Sequence, residues 1–450
     1  MFKFHEGIYT DVRIEDVFET WIVVSLGKLD EFKERKYRGA FIRVYDGKKW
    51  YYCSTTNADI QKEIDDLSKY ATANADIGSD PVVKKFKPVK REMMKYPGRE
   101  VSAVSGADKL ELLKSYFPQM EKFKRITLWR ANYIDRRRVK NFYSSAGAAI
   151  AFDVQRAGFT INFTMAEGDK KLPEGFQKSA ADFGGIKNHG EKFAEHLKRC
   201  EDFLLNSKPV APGKYTVVLA PEPAGIFAHE SFGHKSEADF MIGDETMKRE
   251  WKIGKKVGAE MLSIIDDGVL EDGSAFADGE HVPFDDEGTE SAKTYLIKNG
   301  ILAGRLHSVE TASMLSEEPT GSGRAINFEF EPIVRMRNTY ILPGNKTREE
   351  LIGEVKEGLY VYKLSHGSGM STFTIAPSLA YAIRDGRIAE PVRISVITGN
   401  VFETLNEIDG LSDKIEISAF VAGGCGKSGQ WPLPVGFGGP HVRINNMNVQ

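Results

Sequence analysis

A proline- and glycine-bearing break, SKPVAPGKY at residues 207–215, divides a chain of 450 residues into two lengths that each suffice for a domain. One ordinary core does not extend over so long a chain, because domains cluster at roughly 100–200 residues. We therefore place a boundary at Ser207, giving domains 1–207 and 208–450. In the first, TWIVVSLG and AFIRVYDGKKWYYCSTT read as strands, the second turning at Asp46–Gly47. Residues 57–70 (NADIQKEIDDLSKY) place Ile60, Ile64, Leu67 and Tyr70 about one helical turn apart behind polar capping residues, which predicts a helix. The proline-rich, basic stretch 81–98 reads as a solvated connector. Next come a helix over Lys109–Phe123 and three strand-like pieces, ITLWRANYI, AIAFDVQ and FTINFTM, separated by turn residues. A helix in GEKFAEHLKRCEDFLLN carries Phe193, Leu197, Cys200 and Leu204 on one stripe. Past the break lie a strand (TVVLA), a histidine-bearing element, and many short strands and turns. The expectation is an α+β fold: a mixed helix and sheet amino-terminal domain, then a β-rich carboxyl-terminal domain carrying a metal site.

Charge narrows the function. Lys+Arg total 61 against Asp+Glu 64, a formal charge of -3, so no field of one sign attracts nucleic acid or an anionic membrane. His5, Glu6 and Asp11 interrupt the amino terminus where a secretory signal needs an apolar core, which predicts a cytoplasmic protein. No apolar run approaches the roughly 20 residues that cross a bilayer. Cys53, Cys200 and Cys425 are odd in number and widely spaced, which argues against a disulfide framework. Cys53 and Cys200 sit in strand-like and helical apolar settings and read as core residues. GSGR at 321–324 lacks the spacing and the Lys-Ser/Thr end of a phosphate loop.

The informative string is AGIFAHESFGHKSEADF, residues 224–240, which follows a strand and a proline-bearing turn and can begin a helix. Zinc peptidases commonly space two histidine ligands four apart on one helix face, with a glutamate beside the water that the metal activates. Here His229 and His234 are five apart. On a regular helix that step turns the second ring roughly 140° away from the first. A π-type turn, closed by an i→i+5 hydrogen bond, returns both to nearly one face, and Gly233 eases the distortion. Glu230 keeps its place directly after the first histidine, where a general base belongs. The third ligand is a contest between Cys425, whose AGGCGKSG setting explains burial poorly, and the downstream carboxylates Glu237, Glu250 and Glu260. His307, Arg324 and Tyr340 read as structural residues, with oxyanion stabilisation the competing role. The other six histidines lack metal-ligand spacing.

HESFGHKSEADF (229–240) resembles the HExxxH signature of the TldD/PmbA family, once known as modulators of DNA gyrase and now regarded as zinc metallopeptidases. FDDEGT (284–289), NGILAGRL (299–306), PTGSGRA (319–325), RMRNTYILPG (335–344) and CGKSGQWPLPVGFGGP (425–440) resemble further family blocks in the family's order. Weaker similarity runs through TDVRIED and FIRVYDG, so the resemblance spans nearly the whole chain. Two departures concern substrate preference: a shorter amino terminus, and LSHGSGMSTFT (364–374) in place of a more glycine-rich stretch. The resemblance implies an active, TldD-like subunit holding one Zn2+ through His229, His234 and Cys425, with Glu230 as general base. It also implies cleavage of small or unfolded peptides and a dimer, either of identical chains or with an inactive PmbA-like chain. Direct nucleic-acid binding is disfavoured by the charge balance. The competing class is a non-catalytic, peptide-binding or regulatory subunit with a structural zinc. Glu230 discriminates, because a structural site closes with four protein ligands and needs no adjacent carboxylate.

Overall fold

In the computed structural model, which describes residues 2–270 and 279–450, the first half is built on one long-stranded sheet. β1 (Tyr9–Ser25) and β2 (Lys28–Tyr45) form a hairpin closed by Leu26 and Gly27, both at positive φ, as a two-residue turn between twisted strands requires. β3 (Trp50–Thr55) follows the expected turn, where the Asp46 carboxylate accepts from the N–H groups of Lys48 and Lys49. α1 (Ile60–Ser68) begins at Asp59, whose side chain accepts from the Lys62 N–H, and it buries Ile60, Ile64 and Leu67 as its periodicity predicts.

Three segments differ from the sequence reading. The basic stretch is only partly a solvated connector: Lys84, Lys87 and Arg91 are exposed, but β4 (Lys90–Met93) pairs in parallel with a later strand and Phe86 is buried, stacked on Tyr9. The helix expected over Lys109–Phe123 is two, α2 (Gly106–Lys114) and α3 (Phe117–Glu121). Pro118 has no N–H to continue a helix and occupies the first turn of the second. The three strand-like pieces are two unbroken strands, β5 (Ile126–Ser144) and β6 (Ala149–Glu167). The charged run in β5 reads as a turn but is a strand face whose charges find partners: Arg136 meets Glu19, and Lys140 meets Asp286.

β7 (Lys170–Ala180) pairs with β6, and the sheet order is β3-β2-β1-β5-β6-β4. α4 (Gly190–Asn206) covers β6 and β7, burying Phe193, Leu197, Cys200 and Leu204. In the second half, strand Gly213–Leu219 lies between Glu357–Gly369, parallel to it, and Val442–Val449, antiparallel. The last residues of the chain thus pair with the first strand after the break. A second sheet holds Ile264–Asp267, Asn338–Ile341 and Gly436–Gly439. α5 (Pro221–Ala228) packs between the two sheets. Its Gly225 sits so close to the Gly438 backbone that a Cβ there would come within 2.3 Å. The fold is α+β, and buried ion pairs join its halves: Arg43 reaches both Asp11 (2.7 Å) and Glu287 (2.8 Å). Among the described residues, no helix is long and apolar enough to cross a membrane.

Candidate metal centre

α5 ends at Ala228, and the chain continues as a π turn, His229–Gly233, and a 3-10 turn, His234–Ser236. The N–H of His234 donates to the carbonyl of His229, the i→i+5 bond that a five-residue spacing requires. The two imidazole rings lie 5.0 Å apart between centroids, so the wider turn compensates for the extra residue. Gly233 contributes differently from the sequence expectation. Its backbone is ordinary right-handed helix, φ -56 and ψ -53, so no unusual dihedral calls for glycine. Space does: a Cβ would lie 2.1 Å from the Met336 sulfur, and Met336 is itself fully buried. Gly233→Ala should destabilise the protein by about 1–3 kcal/mol, the usual cost of overpacking, measured by chemical denaturation. Met336→Ala should cost less in that background than in the unaltered protein, a double-mutant coupling that assigns the clash to this contact. An unchanged denaturation midpoint in Gly233→Ala would show that the contact is harmless.

Cys425 arrives from a distant hairpin, strand Cys425–Lys427 against Gln430–Leu433. The fully buried Arg335 holds this hairpin by donating to the carbonyls of Cys425 (2.6 Å) and Gln430 (3.3 Å). Cys425 is buried within the main core of the second half, so its glycine-rich setting does not leave it unpacked. Its Sγ lies 3.4 Å from His234 Nε2. One donor atom from each of His229, His234 and Cys425 falls within 4.8 Å of the others. The downstream carboxylates do not join them. Glu237 contacts the other side of the His234 ring, with Oε2 3.2 Å from Nδ1, and accepts from Lys427 at 3.1 Å. Glu250 pairs with Lys235, and Glu260 is exposed.

Electrostatics favour a charged thiolate. Burial alone would push the Cys425 thiol up, but hydrogen bonding to His229 and His234 outweighs it and brings the thiol down to about 5. Burial likewise pulls His234 down, and Cys425 with Glu237 more than reverses this, to about 10. Glu237 is fully buried, which opposes its charge, yet His234 and Lys427 hold it below its ordinary range. His229 Nδ1 is buried and has no hydrogen-bond partner among the described residues. Two imidazoles and a thiolate fit zinc, a borderline-soft ion that takes nitrogen and sulfur donors, and three donors leave a position for water or substrate. Glu230, half-buried, stands next to this group along the strand Glu357–Gly369. A Cβ on Gly367 would lie 3.3 Å from Glu230 Cγ, and one on Gly369 would lie 3.0 Å from the Glu230 carbonyl oxygen. These two glycines belong to LSHGSGMSTFT and let the strand pass close to Glu230.

His307 spends both ring nitrogens inside the fold, on Thr311 and Glu317, and Arg324 donates to the carbonyls of Met336 and Pro434. Tyr340 is buried with Ile265 and Ile417. Glu237 entered the sequence reading only as a possible ligand, and its place behind His234 with Lys427 and Arg335 was not found there. The position of Lys427, two residues past the cysteine, is its one local signal.

A largely buried His/His/Cys group, with Glu230 directly after its first histidine and a distorted helix between two sheets to carry it, defines a candidate metal centre. Family models agree. Residues 212–450 match the PmbA/TldA metallopeptidase C-terminal domain, and residues 10–75 match domain 1 of the same family. A metalloprotease of Methanothermobacter thermautotrophicus is 32% identical, the match covering 98% of this chain and 95% of that one. A zinc metalloprotease TldD homolog of Saccharolobus solfataricus is 30% identical, over 98% and 96%. The chain belongs to the PmbA/TldD metallopeptidase family. The crystal structure of TldE from Thermococcus kodakarensis shares the fold, with a TM-score of 0.77 at 18% identity over 98% of this chain and 96% of that one.

Proposed function

We propose that this protein is a zinc-dependent peptidase acting on small or unfolded polypeptides, with one zinc per subunit held by His229, His234 and Cys425. The observation that carries the reading is the convergence of those three donors within 4.8 Å while Glu230 remains outside the group. When bound, zinc would supply a Lewis acid for the amide carbonyl and bring the pKa of water from about 15.7 towards about 7. Glu230 takes the proton from the attacking water and passes it to the departing amine nitrogen. Glu237 fixes the orientation of the His234 ring through Nδ1, as partners behind metal ligands commonly do. Lys427 in turn keeps Glu237 charged. We further propose residues 1–207 and 208–450 as the two domains, with the metal site in the second, a cytoplasmic location, and a dimer of identical chains or with a PmbA-like partner.

Metal analysis alongside cleavage tests this directly. Purified protein should contain close to one zinc per chain and degrade an unstructured protein such as reduced casein. A chelator should abolish cleavage, and added zinc should restore it. Zinc-replete protein with no cleavage would support the competing reading, a peptide-binding subunit with a structural metal.

A further inference from the structure

A cleft lies between β5 and β6 on one side and the second half of the chain on the other, with about 70 Å³ open to water. Leu433 and Pro434 form part of its lining, and Leu433 is the cross-strand partner of Cys425. Opposed residues in such a pair are about 4.5–5.5 Å apart, so cleft and metal centre share one hairpin. Phe152, Val154 and Phe284 supply apolar walls.

The remaining lining is mainly cationic. Arg136, Arg138 and Lys140 alternate along β5 and therefore leave the same face of the sheet. Most of the cations near the cleft are matched. Lys140 bonds Asp286 at 2.5 Å, Arg136 bonds Glu19 at 2.9 Å, and Arg156 pairs with Glu280 at 2.5 Å. Arg324 is hydrogen-bonded to carbonyls but has no carboxylate within 4 Å among the described residues. Arg138 is the outlier. Its side chain is 9% exposed, it makes no hydrogen bond among the described residues, and its one carboxylate neighbour there is Glu15, 3.9 Å from Nε. Glu15 is already divided between Arg13 at 3.2 Å and Lys140 at 3.6 Å. A guanidinium carries five N–H donors in a planar fork, and in Arg138 only Nε is sealed off without a hydrogen bond, so the terminal nitrogens remain open to an incoming anion. The fork matches a carboxylate in two parallel bonds.

We propose that this cleft binds a carboxylate of the peptide substrate, held by Arg138, and so anchors the chain being cleaved beside the metal centre. The assignment rests on the peptidase reading for the identity of its ligand. The carboxylate comes from the peptide's C-terminus or from an acidic side chain, and the two sources can be separated.

The test uses the full-length protein with Glu230→Gln to stop turnover, and three fluorescent decapeptides. One has no acidic residue and a free C-terminus, one is its carboxamide, and one is the carboxamide with a single internal glutamate. Anisotropy titration should show the free acid, the glutamate peptide or both binding about 10–100-fold more tightly than the plain amide, the range expected of charge-assisted hydrogen bonds. Whichever peptide gains identifies the source. Arg138→Gln should bring all three within about twofold, and Arg138→Lys, which keeps charge without the fork, should fall between. Equal binding of all three peptides before any change at Arg138 overturns the proposal even if the variants do not fold. So does a preference that survives Arg138→Gln. The two readings fail separately: an acid preference without cleavage by the unaltered protein sinks the peptidase and leaves the site, whereas cleavage without a preference does the reverse.

Discussion

Glu230→Gln should keep the zinc content of the unaltered protein and lose peptide cleavage by about 10²–10⁴-fold, the usual contribution of a general base. The substitution preserves size and removes only the carboxylate's ability to take a proton. Glu230 stands outside the three converging donors, so metal retention does not depend on it. His229→Ala and His234→Ala should behave differently, losing metal and activity together. Zinc by atomic emission and cleavage of an unstructured protein, measured on the same preparations, separate the two outcomes. Activity within tenfold of the unaltered protein would remove Glu230 from the chemistry. Loss of zinc in Glu230→Gln would make it a ligand, and the open position argued for the site would disappear.

What could be read from the sequence depended on how local the determining contacts are. The π turn was legible because a five-residue spacing of two rings has few ways of reaching one face, and the His229–His234 backbone bond realises one of them. The α4 stripe was legible for the same reason, since its burial follows helical period. The continuity of β5 was not. Its Asp135–Lys140 run looks like turn chemistry until one knows that Glu15, Glu19 and Asp286 lie across from it, and those residues are more than a hundred positions away. Helix α2–α3 was misjudged for a local reason, because Pro118, which has no N–H to continue a helix, was passed over.

Gly233 shows a subtler failure. Glycine in a distorted turn invites a dihedral explanation, yet the constraint is the Met336 sulfur, which no local pattern announces. Cys425 is similar. Its neighbours are glycines, and its burial comes instead from a hairpin pinned by Arg335, ninety residues earlier. The resemblance to a family supplied what spacing could not, namely which of four candidate residues stands with the two histidines. The supporting role of Glu237 behind His234, and Lys427 with it, emerged only from the coordinates.

Cys425→Ser should cost most of the protein's zinc and nearly all of its activity while leaving the chain folded, and Cys53→Ser and Cys200→Ser should cost neither. The hydroxyl of serine is smaller than the thiol and fits without a clash, and the Arg335 bond to the backbone carbonyl of residue 425 does not involve the side chain, so the hairpin has no reason to move. What changes is the donor: a thiolate binds zinc as an anion, and an aliphatic hydroxyl at neutral pH does not. The loss of affinity should exceed the about 10–100-fold that removal of a partner behind a ligand typically costs. Glu237→Gln supplies that smaller reference, since Glu237 touches His234 but lies outside the group of three donors. Competition with a zinc-chelating dye ranks the variants, and circular dichroism establishes that each is folded. If Cys425→Ser keeps its zinc as firmly as the unaltered chain while Glu237→Gln releases it, the third ligand is the carboxylate. Glu237 would then have to leave Lys427 and swing round the His234 ring, breaking a buried 3.1 Å ion pair to reach the metal. Lys427 would keep Asp239 at 2.7 Å, but a buried ion pair and the Nδ1 partner of His234 would both be lost, and that cost is why Cys425 is expected to hold the site.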